Sequence, residues 1–168
     1  MSLTGSIKIS ANATLSTDRD LGTATVTEAI SEAISIANGS AANQATQVWG
    51  DTRTIGASGT EEIDLNGTLS NGIGETVSFT RVILVAILPA STNGDTITIG
   101  GAAANAWEPW AGASGDKVKL RPGGGIVLWA TDATALAVTA GTADLLKIAN
   151  DDGAASADYD ILVIGSDA

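Results

Sequence analysis

Apolar and polar positions alternate with a period of two through much of this chain, in short runs closed by Gly, Asn, Asp or Pro. That pattern predicts half-buried antiparallel strands joined by tight turns. In DTITIG, Ile97 and Ile99 fall on one face with Thr96 and Thr98 on the other; in KVKLR, Val118 and Leu120 oppose Lys117 and Lys119. SIKIS, TATVT, GIVLWA, ALAVTA, DLLKIA and YDILVIG are further runs of this kind. Two runs, VILVAIL (Val82 to Leu88) and ILVI (Ile161 to Ile164), are apolar on both faces. They are expected to be central strands, or strands covered by a neighbouring subunit, since a bare edge of that composition invites aggregation. The fold expected is mainly β: an antiparallel β-sandwich, jelly-roll-like.

One segment fits two periods. In TVTEAISEAISIANG, Val26, Ala29, Ile30, Ala33, Ile34 and Ala37 keep a helical i, i+3, i+4 spacing, Thr25 and Glu28 match a capping box, and Asn38-Gly39 is a helix stop. Read as a strand, the same residues put Glu32 on the face of Ile30, Ile34 and Ile36. Periodicity leaves one short helix near residues 26–37 and a strand as equal alternatives. NGSAANQAT, Asn38 to Thr46, is small and polar and reads as a linker. It divides the chain into an N-terminal arm or first strands at 1–40, a candidate attachment segment, and a β-sandwich body at 41–168.

Composition narrows the chemistry. The 168 residues suffice for one domain with its own core, and aromatics at 4% leave that core to Val, Ile, Leu and Ala, with four Trp as rare bulk, Trp129 among them. There is no Cys and no His, which removes disulfides, thiolate nucleophiles, the commonest general base and the commonest transition-metal ligand. A non-enzymatic protein without cofactor or metal is therefore expected. The formal charge of −11 opposes nucleic-acid binding, which needs cations to release phosphate counterions. No basic and apolar leader is visible in MSLTGSIKIS, and the longest apolar run is too short to span a membrane as a helix. The expectation is a protein made in soluble form, without a membrane.

Four features invite a site. RPGGGIVLWA sets three glycines before an apolar run, but no Lys follows them and a strand, not a helix, comes next, so a phosphate cradle is not expected. Pro122 at the second and Gly123 at the third position of a type II turn, closed by Gly124, explain the cluster as a structural turn. The acidic groups TDRD, EEID, NDDG and DYD lack the register of a calcium loop and read as solvated turns. A glycosidase pair among Glu61, Glu62 and Glu108 would need a separation in space that spacing cannot supply. WEPW is the open feature: Trp107, Glu108 and Trp110 either cap one end of an aromatic-poor sandwich, anchor an interface, or stack on a sugar.

The succession ANQATQVWGDTRTIGASGTEEIDLNG, FTRVILVAI, TITIGGAAANAW, RPGGGIVLWA, TADLLKIAND and YDILVIG, after the opening MSLTGSIKISANATLSTDRDLGTAT, resembles a family of small structural proteins of tailed bacteriophages and prophages. NQATQVWGDTRTI (Asn43 to Ile55) is its most specific piece. The resemblance implies a virion protein of the head, of capsid decoration or head-fibre type, and carries no catalytic motif. A homo-oligomer, expected as a trimer, would contact the major capsid protein or another virion protein and cover the apolar strands. The alternatives are a carbohydrate-binding module for host adsorption and a tail structural protein.

Overall fold

The computed structural model describes residues 2–67 and 69–168; Met1, at the head of the expected arm, lies outside them. All regular structure among the described residues is β, with no helix. Strands β1 (Gly5–Arg19) and β2 (Gly22–Asn38) pair antiparallel along their whole length, Gly5 opposite Ile36 and Arg19 opposite Gly22, around the two-residue turn Asp20-Leu21. Gly22 carries a φ of 136° there, a conformation that suits glycine.

No helix forms over residues 26–37; they lie within β2. Without Ala29, Ala33 and Ala37 as apolar anchors the helical stripe thins to the i, i+4, i+8 row of Val26, Ile30 and Ile34. The large side chains, Val26, Ile30, Ile34 and Ile36, all sit at even positions, which is a strand period. Pairing then sorts the ribbon into two unlike faces. Ile7, Ile9, Ala11, Ala13 and Leu15 share one face with Ile34, Glu32, Ile30, Glu28 and Val26. The other face sets Ser6, Ser10, Asn12 and Thr14 opposite Ser35, Ser31, Ala29 and Thr27.

At its root the ribbon turns into the body. Residues 39–43 bend the chain, Asn43 donates its backbone N–H to the Thr131 carbonyl, and the two-residue β3 (Gln44–Ala45) runs parallel to the end of β2. The body then proceeds through β4 (Gln47–Ile55), β5 (Thr60–Asp64), the small hairpin β6 (Leu69–Ser70) and β7 (Thr76–Val77), and the long β8 (Arg81–Pro89). It continues through β9 (Ile97–Ile99), β10 (Val118–Leu120), β11 (Ile126–Trp129), β12 (Leu136–Ala137), β13 (Leu145–Asn150) and β14 (Ala157–Ser166).

Eight of these strands form two sheets, in the orders β4-β14-β8-β11 and β5-β13-β9-β10, with β12 attached to the start of β8. Every body neighbour pair within them is antiparallel. Taken along these eight strands, each connection but β9 to β10 crosses from one sheet to the other, which is the interleaved double Greek key of a jelly roll. The two doubly apolar runs are neighbours at the centre of one sheet, as β8 and β14.

The main core lies between the sheets. Trp49, Val85, Ile87, Ile161 and Val163 from one side meet Ile63, Ile97, Ile99, Leu146 and Ile148 from the other. A second apolar cluster lies on the outside of the β8–β14 pair, where Ile7 and Ile36 of the ribbon pack with Ala45, Ile83, Leu84 and Ile164. A β-bulge makes that second cluster possible. The ladder with β14 shifts between Ile164 and Gly165, leaving Ile83 without a partner, so Val82 turns to the inner core while Ile83 and Leu84 both join the outer cluster. Gly165 is required at this point, because a Cβ there would sit 2.2 Å from the Arg81 carbonyl oxygen.

Candidate functional site

The WEPW loop is a cap on the inner core. Trp107 is only 1% exposed, its ring N–H donates to the Ala137 carbonyl at 2.9 Å, and its backbone N–H donates to Leu145 at 2.9 Å. Glu108 accepts from the backbone N–H of Gly101 at 2.5 Å and of Gly115 at 2.7 Å, one on each carboxylate oxygen. Trp110 is half-buried against the same core, with its ring edge over Gly100. Burial thus removes Trp107 from any surface that could stack on a sugar or meet a partner. The loop beside it forms a shallow depression of about 430 Å³, lined by small residues, Pro109 and Glu108.

RPGGG is a turn. Gly123 has a φ of 70°, and the Gly124 N–H donates to the Arg121 carbonyl at 2.9 Å, the geometry of a type II turn with Pro122 at its second position. Gly125 has a different reason: a Cβ there would lie 2.5 Å from Leu88 Cδ2 and 3.3 Å from the Ile87 carbonyl oxygen of the adjacent strand.

The acidic groups hold strands and turns together. Asp18 accepts from the Thr23 hydroxyl near the ribbon tip, and Asp160 and Asp158 accept from the hydroxyls of Thr52 and Thr54 across β14 and β4. Asp151 accepts from Thr96 and Thr98 and pairs with Lys119 at 3.0 Å. Partial burial pushes the Asp151 carboxyl upward, but those hydrogen bonds outweigh it, so the group stays below the usual carboxylate range. Asp152 accepts the N–H groups of Ala154 and Ala155 in the adjoining turn. Among the described residues no group of three or more acidic side chains comes together in a way that could hold a metal ion.

Two polar arrangements carry no signal in the sequence. Arg53 of β4 donates through Nε to Glu61 of β5 at 2.7 Å and reaches Asp51 at 2.9 Å, while the Tyr159 hydroxyl of β14 donates to the other Glu61 oxygen at 2.6 Å. The network ties the edges of the two sheets together. The hydrogen bond to Glu61 holds Arg53 firmly protonated, and burial followed by the same carboxylate pushes the Tyr159 hydroxyl far above its ordinary value. Glu61 is therefore a structural partner, fully engaged.

The second is Arg81, 5% exposed, which among the described residues faces no carboxylate at hydrogen-bond distance. Its guanidinium instead donates to the carbonyls of Ala41, Gln44 and Ala133, pinning the ribbon root and the loop before β12 to the start of β8. No motif marks these contacts, because they join segments far apart in the chain.

The least satisfied surface is apolar. Of the ten large hydrophobic side chains exposed among the described residues, Leu15, Leu21, Val26 and Ile30 are on the ribbon. Val48, Leu88, Val127, Trp129 and Leu162 lie on the outer face of the β4-β14-β8-β11 sheet, leaving only Ile73 elsewhere. The register builds that sheet face in rows: Trp129, Leu84, Ile164 and Val48 in one, Val127, Ala86, Leu162 and Gly50 in the next. Beyond them the Thr52–Asp160 and Thr54–Asp158 pairs make a polar border. Trp129 is consequently not core bulk as expected; it is 40% exposed on this outer face, because the inward positions of β11 are Ile126 and Leu128. Beside the same face, Ser2 to Thr4, Thr46 to Val48, Gly50 and the β6–β7 hairpin enclose a cleft of about 410 Å³.

Comparison with protein-family models, with curated proteins and with solved structures gives no match.

Proposed function

We propose that this chain is a non-enzymatic structural protein of a tailed-bacteriophage virion that decorates or stabilises the capsid exterior, as a head decoration or head-fibre protein. The observation that carries the structural half of this reading is the amphipathic ribbon projecting from a jelly roll, with an apolar face that no other part of the described chain covers along its outer half. A two-stranded ribbon is marginally stable alone in water, so such an element belongs to an assembly. The resemblance to phage structural proteins supplies the virion half. The carboxylates with the best claim to acid–base chemistry, Glu61 and Glu108, are spent on structural hydrogen bonds. The partners in this reading are further copies of the chain, forming a trimer, and the major capsid protein or another virion protein.

Purified particles test it. Mass spectrometry is expected to find the chain in intact virions, and electron cryo-microscopy to find ordered density for it outside the head shell. Its absence from particles, or density confined to the tail, would overturn the reading. The carbohydrate-binding alternative loses its main platform with the burial of Trp107.

A further inference from the structure

We propose that the outer half of the β1–β2 ribbon seats on the outer face of the β4-β14-β8-β11 sheet of a second copy of this chain, so that each copy gives one ribbon and receives another. The inference rests on the self-assembly half of the reading above and not on the virion half.

The contact already exists once within the chain. At the ribbon root, Ile7 and Ile36, flanked by Ile9 and Ile34, pack with Leu84 and Ile164, and among the described residues this is where the ribbon's apolar face meets the body. Both partners then continue uncovered. Along the ribbon the same face runs on through Ala11, Leu15, Val26 and Ile30, with Ile30 73% exposed. Along the sheet the same outer face runs on through Val127 and Leu162, each more than a third exposed. A second copy's ribbon can repeat on the open rows the packing that the chain's own ribbon makes on the covered ones.

Dimensions agree. The bare ribbon from Ala11 to Thr17 covers seven residue pairs, or about 23 Å at the rise of a strand, and four strands span about 19 Å at the usual spacing. Alanines at 11 and 13 leave room for the ribbon to approach closely.

Charge disfavours ribbon against ribbon more than ribbon on sheet. The apolar face of each ribbon carries Glu28 and Glu32, and two such faces laid together would bring four carboxylates into one dry seam. The apolar rows of the sheet carry no charged residue, so a ribbon seated on them brings two carboxylates to the contact rather than four. Size favours reciprocity: one ribbon on one sheet is small beside the roughly 800 Å² per partner of a stable interface, and giving plus receiving doubles the area that each copy buries. Because the two surfaces differ, the contact is heterologous, and it closes on itself only when every copy both gives a ribbon and receives one.

Site-directed cross-linking tests the interface. The chain has no cysteine, so Ile30→Cys and Leu162→Cys each introduce a single thiol. Chains bearing one or the other are co-expressed, purified together and treated with a short bis-maleimide. The expected product is a dimer joined between positions 30 and 162, recovered in several-fold excess over 30-to-30 and 162-to-162 products. Dominance of the 30-to-30 product would overturn the proposal in favour of ribbon against ribbon. Separately, Ile30→Lys and Val127→Lys alter exposed positions without touching the inner core. Each is expected to convert an oligomeric wild type to monomer in sedimentation with an unchanged circular dichroism spectrum. A monomeric wild type at 100 μM, or lysine variants that stay oligomeric, would overturn it too. Particle association without the 30-to-162 product sinks the interface and leaves the virion reading standing; the product in a protein missing from particles does the reverse.

Discussion

Single side chains decide how the body closes. Tyr159 is buried with its hydroxyl on Glu61, and its pKa is raised first by burial and then by that carboxylate. In the unfolded chain a tyrosine releases its proton near pH 10, whereas the folded chain keeps it, so above that pH the native state binds more protons and stability falls as pH rises. Tyr159→Phe is expected to cost about 1–2 kcal/mol at neutral pH through the lost hydrogen bond. It should also flatten the loss of stability between pH 9.5 and 11.5, which urea titrations at a series of pH values would measure; parallel slopes for wild type and variant would contradict the assignment.

Gly123 is a residue-scale test of the turn. Its φ of 70° is strained for any side chain, and a Cβ would sit 3.2 Å from Ser91 Cβ. Gly123→Val is expected to cost about 2 kcal/mol, read as a fall in Tm of roughly 4–8 °C for a domain of this size. A variant that melts like the wild type would mean the turn does not need glycine.

At the scale of elements, the ribbon shows what local pattern can and cannot decide. Between Val26 and Ala37 the chain completes a helical i, i+3, i+4 stripe only through its alanines, while Val26, Ile30, Ile34 and Ile36 keep a strand period. The tie is broken by β1, whose alternation matches residue for residue and supplies the ladder of hydrogen bonds. Among the described residues, the outer half of the ribbon pairs with itself and its large apolar side chains stay exposed. Replacing residues 12–29 by an Asn-Gly turn, which joins the cross-strand partners Ala11 and Ile30, should therefore leave the body folded with its near-ultraviolet spectrum intact. The dependence of Tm on protein concentration expected of an oligomer should vanish in the same variant. Loss of the body's fold would show that the ribbon supports more than its root.

For the whole molecule, a charge of −11 spread over 168 residues means that folding concentrates like charge. Asp151, Asp158 and Asp160 find hydroxyl or lysine partners, but few acidic groups find a cation, with Arg53 and Lys119 the cations in ion pairs among the described residues. Raising sodium chloride from 20 mM to 500 mM shortens the screening length from over 20 Å to a few ångströms and should raise Tm by about 2–4 °C. A flat or falling Tm would mean that specific ion pairs outweigh the general repulsion.

The β class, the antiparallel sense, the central position of the two doubly apolar runs and the turn at Pro122 to Gly124 all follow from local rules: alternation, runs apolar on both faces, and a glycine where φ must be positive. These properties are decided within a few residues, and so the amino-acid order states them directly. The destination of each tryptophan, the Arg81 clamp on three carbonyls, the Arg53–Glu61–Tyr159 tie and the bulge at Ile83 depend on segments up to about a hundred residues apart. WEPW could not be sorted between cap and contact surface by its composition, because Trp suits both, and only the packing of Trp107 under the Ala137 carbonyl separates them. Trp129 went the other way for a similar reason: alternation says that β11 has two faces, and only the pairing of two sheets says which of them is inside.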